Sequence, residues 1–285
     1  MNMEAESFVE FVVDYTTRVL VYTGGQIFLL FVPALLFAFL TQYLSEKIRV
    51  CGWGRFGTFY TYLTAPGTIC HECGHALFVL LFGYKIKKFV PFSPSEGGPL
   101  GYVIWTSDGN DGLRLRLAYF FCGTGPIWLG SSVIALLAFL VLGKENLEIL
   151  GISSAYEQNF SSIEEIGKYV MQVLDSGIIL FFNFFSLDVL KHPLMLFCLY
   201  MIFCIGGHMK LSPPDMQSAK FGFGGLFIPI FVFNVATAWL GDFPMKVIYL
   251  LTQYNHVLYS LLTFVTMLLL VAWLLTIIVG TLKGH

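Results

Sequence analysis

The segment His71-Glu72-Cys73-Gly74-His75 holds the side chains best suited to chemistry in this chain. Positions i and i+4 of a helix lie one turn apart on the same face, so the imidazoles of His71 and His75 can reach one metal ion. Glu72, beside the first imidazole, can take a proton from a water that the metal has acidified. Zinc suits this task because it brings the pKa of such a water towards neutrality and polarises a substrate carbonyl. An acid at the centre of a membrane helix costs roughly 2.5–3.5 kcal/mol on insertion scales. Glu72 and two histidines in an otherwise uncharged apolar stretch therefore call for a partner, and a divalent cation is the economical one. The competing account is a structural network in which Glu72 pairs with a histidine on a neighbouring helix.

A catalytic zinc needs a third protein ligand and one open position. The run His208-Met-Lys-Leu-Ser-Pro-Pro-Asp215 offers two candidates, Asp215 first and His208 second, and both can serve. Asp215 has another role available. Ser212-Pro-Pro-Asp215 fits a capping box, with Ser212 at the N-cap, Pro213 at the first helical position and Asp215 at N3. A carboxylate in a first helical turn is favoured by the helix dipole while it ligates a metal. Asp188 and Asp242 are outside candidates, and His192, His256 and His285 sit near span ends where they meet water. Cys70 and Cys73 flank His71 on one helix face. Metal or redox chemistry is open to them, beside the plainer reading of small residues that permit close packing.

The elements that must carry these residues are membrane helices. Of 285 residues, 56% are hydrophobic and 12% charged, against about a quarter charged in soluble domains. The mean hydropathy is +0.75. A net charge of -2 and the lack of a long basic run give no general attraction for nucleic acid. The acidic start (Glu4, Glu6, Glu10) and the long first apolar stretch argue against a cleaved signal peptide. A spanning helix needs about 20 apolar residues. That length predicts six spans, at about 22–44, 58–83, 115–142, 193–209, 219–240 and 247–282, in a single domain over 1–285. The fold class expected is an all-α polytopic membrane protein. Residues 85–106 hold two short β-prone runs around a Pro/Gly-rich turn, a hairpin or extended loop at the membrane surface. Residues 143–175 are the most polar and lie outside the bilayer, and 176–187 read as an interfacial or re-entrant helix. The positive-inside rule gives conflicting votes. Lys47, Arg49 and Arg55 follow the first span, and Lys85, Lys87, Lys88, Arg114 and Arg116 flank the next loop on the opposite side.

The stretch Thr64-Ala-Pro-Gly-Thr-Ile-Cys-His-Glu-Cys-Gly-His-Ala-Leu77 resembles the metal-binding helix of the site-2 protease family of intramembrane zinc metallopeptidases. The likeness includes the Gly before the second His and the small residue after it. The order of elements is similar across roughly 58–240: this helix, a hairpin, a helix with a Gly-Pro element (Gly123 to Pro126), then a later Asp. The resemblance implies that His71, His75 and Asp215 hold one zinc ion and that Glu72 is the general base. It further implies that residues 85–105 act as an edge strand receiving the unwound substrate. The family's Asp lies in a Leu-Asp-Gly motif, whereas this chain has Pro-Asp-Met, so the likeness is to a divergent, minimal member.

The leading expectation is a zinc endopeptidase of a multi-pass protein in the cell membrane. It would hydrolyse peptide bonds of a membrane-embedded or juxtamembrane protein or peptide substrate. Two other classes stand beside it: a non-catalytic metal-binding scaffold or chaperone, and a metal or small-ion transporter. A transporter should carry polar residues on several spans, and the last span has almost none. Gly222, Gly224 and Gly225 fit either a flexible gate or close helix packing.

Overall fold

The computed structural model describes residues 2–94, 98–107, 112–147, 163–241 and 243–282. It is a helical assembly with one small sheet. In chain order the elements are α1 (Asn2–Phe56), α2 (Thr58–Leu63), α3 (Ala65–Leu81), β1 (Lys85–Val90), β2 (Tyr102–Thr106), α4 (Gly112–Leu147) and α5 (Ile163–Phe184). There follow α6 (Leu187–Leu190), α7 (Met195–His208), α8 (Pro213–Thr237) with a 3-10 turn at Ala238–Leu240, and α9 (Phe243–Leu282).

Four helices are long and apolar enough to cross a membrane: Phe8–Gly52, Gly112–Gly143, Pro213–Leu240 and Leu250–Ile278. Their outward faces keep Phe11, Leu36, Phe39, Leu140, Ile228 and Leu275 exposed. Side chains as apolar outside as inside fit a hydrocarbon surrounding rather than water. Among the described residues, four of the six expected spans are therefore long enough; those at 58–83 and 193–209 are not. The stretch 58–83 breaks at Thr64, where Pro66 in the first turn of α3 cannot continue the helix before it. The remaining 17 residues of α3 extend only about 25 Å and the 14 residues of α7 about 21 Å, both short of a ~30 Å core. The segment 176–187 is not separate either, for most of it belongs to the 22-residue α5, which packs along α9. Residues 148–162 of the polar section 143–175 lie outside the described residues.

Helix α3 sits in the middle of the assembly, packed against α4 and α7, while α4 packs along α8 and α1 along α9. Ile134, Leu180, Phe184, Ile202, Tyr259 and Phe264 form the fully buried centre. Pro33 interrupts the ladder of α1, because it has no N–H to give the carbonyl of Leu29 four residues earlier. Helix α9 repairs the loss: Tyr259 Oη donates to Leu29 O at 2.5 Å and Asn255 Nδ2 at 3.2 Å. A second polar clamp joins α1 to α8, where buried Asn234 donates to Gln26 Oε1 at 2.9 Å and Thr23 Oγ1 at 3.1 Å.

The hairpin expected over 85–106 is present. Strands β1 and β2 are antiparallel, pairing Lys85 with Thr106 and Val90 with Tyr102, with an irregularity between Ile86 and Lys88. Trp105 stacks between Tyr84 and Tyr119, and the Arg114 guanidinium lies over the Tyr84 ring, so the hairpin is fastened to α4.

Candidate metal centre

Close backbone packing sets the position of the His71-to-His75 turn. A Cβ on Gly74 would lie 2.8 Å from the carbonyl of Gly125 in α4, and one on Gly125 would lie 2.5 Å from Gly74 O. Only glycine at both places lets α3 and α4 approach this closely. On the hairpin side, a Cβ on Gly101 would lie 2.6 Å from Glu72 Cγ, so the start of β2 lies directly on the acid.

The two imidazoles then find fixed partners. His71 Nδ1 lies 2.6 Å from His208 O at the end of α7, and His75 Nδ1 lies 2.7 Å from Cys122 O in α4. A carbonyl can only accept, so each Nδ1 must be the N–H, and each Nε2 is left with its lone pair. Those two Nε2 atoms are 3.1 Å apart. Asp215, in the first turn of α8, brings Oδ1 to 3.2 Å from His75 Nε2 and Oδ2 to 3.5 Å from His71 Nε2. Three groups thus aim electron pairs at one point, with all ligand atoms within 4.8 Å of one another. A proton shared between two of them would satisfy one pair. A metal ion satisfies all three at once. Ligands at about 2.0–2.1 Å from a tetrahedral zinc are roughly 3.4 Å apart, close to the 3.1 Å between the two Nε2 atoms and the 3.2 Å from His75 Nε2 to Asp215 Oδ1.

No protein-family model matches the chain, and comparisons with curated proteins and with solved structures give no match either.

Asp215 stands where both roles open to it in the sequence can be met. Ser212 N and Oγ donate to its Oδ2 at 2.8 and 2.6 Å, and Asp215 N donates back to Ser212 Oγ at 3.4 Å, a complete capping box. The cap holds one oxygen and leaves the other facing His75. The His208 side chain stands outside the group formed by His71, His75 and Asp215. Its Nδ1 bonds to Cys204 O in its own helix at 2.9 Å, and it is not among the converging groups; its backbone oxygen instead orients His71. Cys70 and Cys73 are free thiols and likewise stand outside that group. Asp188 lies in the first turn of the short α6, away from it, and Asp242 lies outside the described residues. Gly222 packs against Phe120, and Gly225 against Arg116, so close helix packing accounts for these glycines.

A cavity of about 500 Å³ opens onto the centre. His71, Glu72, His75 and Asp215 line it on one side, Gly101 and Tyr102 on the other. Glu72 is 7% exposed and makes no hydrogen bond with a described residue. Thr68, one turn before Glu72 on α3, belongs to the same lining, and its buried hydroxyl has no described partner. Sequence reasoning could not have found the carbonyls of Cys122 and His208, because every residue has one. The Gly-Thr-Gly-Pro run did mark the place where α4 comes near.

Proposed function

We propose that this protein is a multi-pass intramembrane zinc endopeptidase that hydrolyses peptide bonds of membrane-embedded or juxtamembrane substrates. One observation carries the reading: two Nδ1–H groups are held by carbonyls, so both Nε2 lone pairs and the Asp215 carboxylate converge beside a buried, unpaired Glu72. Held by His71, His75 and Asp215, a zinc ion would polarise the scissile carbonyl and acidify a water. Glu72 takes the proton from the attacking water on its carboxylate and returns it to the leaving amine. Cys122 O and His208 O keep both rings turned for this work, as partners behind metal-binding histidines do. An extended substrate chain could lie along β2, which is paired on one side by β1 and lines the cavity with Tyr102, Val103 and Trp105. The likeness of the His71–His75 helix to the site-2 protease family supports the same chemistry, and on that likeness the protein works in the cell membrane.

The test is zinc content and peptide cleavage by purified protein in detergent and in liposomes. A pool of apolar synthetic peptides is incubated with it, and new termini are read by mass spectrometry. Glu72→Gln keeps about one zinc per chain and loses about 100- to 10,000-fold in turnover. His75→Ala and Asp215→Ala lose the zinc itself. Cleavage by Glu72→Gln at the rate of the parent would end the enzymatic reading, leaving a metal-binding scaffold.

A further inference from the structure

A second cavity of about 570 Å³ adjoins the metal centre. Its walls come from the end of α1, from α2, and from the chain around His208 to Lys210. Leu100, His208 and Lys210 line both cavities, so the two spaces meet at these residues. The charge of the second cavity is unusual for a space among apolar helices. Arg49 and Lys210 line it, and one acid, Glu46, serves both. Arg49 takes that acid with two donors, Nε to Oε2 at 2.9 Å and Nη2 to Oε1 at 2.5 Å. Lys210 Nζ is left 3.7 Å from Oε2, beyond hydrogen-bond length, with its side chain 30% exposed. Among the described residues, two cations against one acid leave a net positive charge, and the ammonium that carries it has donors to spare. Ser45 also lines the cavity, and its buried hydroxyl has no described partner.

We infer that this cavity is a subsite for a carboxylate of the substrate chain, gripped by Lys210 at a fixed distance from the bond being cut. The carboxylate comes from an acidic side chain near that bond or from a free C-terminus. Glu46, fixed by Arg49, is a positioning residue: its carboxylate attracts Lys210 Nζ from 3.7 Å on the α1 wall. The inference rests on the proposed peptidase reading for its biological meaning, but its test does not need turnover.

Binding is measured on the Glu72→Gln protein by fluorescence anisotropy, with labelled Ala/Val decapeptides as probes. One series is amidated and carries a single Glu at successive positions, each with a Gln twin. The other has only a free or an amidated C-terminus. One placement of the carboxylate binds at least tenfold tighter than its uncharged twin, and raised salt shrinks the difference. An internal position identifies a side-chain carboxylate, and the terminal series identifies a chain end. Lys210→Gln abolishes the difference and Lys210→Arg keeps it. Equal binding of all twins, or a preference that survives in Lys210→Gln, would overturn the subsite. Cleavage that depends on Glu72 while all twins bind alike would sink the subsite and spare the peptidase; the reverse result would do the opposite.

Discussion

At the scale of single residues, the deciding feature is how few degrees of freedom the ligands keep. His71 and His75 are each tied at Nδ1, and Asp215 is tied at Oδ2 by Ser212. Ser212→Ala removes the hydroxyl that fixes the carboxylate and leaves the side chains of His71, His75 and Asp215 in place. Zinc affinity should fall by about 10- to 100-fold, as it does when partners behind metal ligands are lost, measured by competition with a chromophoric chelator. Unchanged affinity would show that Asp215 needs no such support. Much of this was legible in the sequence. The i, i+4 histidines and the Ser-Pro-Pro-Asp cap are short-range patterns whose geometry follows from the helix itself. Two roles were not legible. The choice between Asp215 and His208 depends on where the ring of His208 turns, and that ring finds Cys204 O one turn back in its own helix. Lys210 carried no signal, because its importance comes from Glu46 being spent on Arg49, far away in the chain.

At the scale of elements, the site depends on helices that touch backbone to backbone. Gly125→Val places branched carbons where Gly74 O lies, and α3 must move away from α4. Overpacking of this kind costs about 1–3 kcal/mol. It should also lower zinc occupancy, since His75 would part from Cys122 O; thermal unfolding and metal content report the two effects separately. The kink of α1 gives an independent check. Tyr259→Phe strips the better of two donors from the Leu29 carbonyl that Pro33 has orphaned. A loss of about 1–2 kcal/mol is expected, read in denaturant titrations, with zinc binding unaltered. Helix existence could be read from apolar length, and the hairpin from its turn residues. Helix count could not: a Pro near the start of α3 turned one predicted span into two pieces, and hydropathy averages are blind to a single ring.

At the scale of the whole molecule, the apolar outer faces of the four long helices set where charge is tolerated. Leu36 in α1 is 65% exposed, and Leu36→Arg should cost about 2.5–3.5 kcal/mol in membrane insertion, measured with a glycosylation reporter. Leu187, more exposed still at 76% but in the short α6 outside the four long helices, should accept the same change at little cost. Equal penalties at both places would mean that the four helices do not share one bilayer. The metal centre also has a consequence for biosynthesis. Its parts come from α3, α4, α7 and α8, and the last of them, Asp215, belongs to the penultimate long helix. A chain still emerging from the ribosome has the two histidines but neither the carboxylate nor the carbonyl that aims His71. On the proposed reading, such a chain gains its chemistry only once α8 has been made and has folded against α3 and α4.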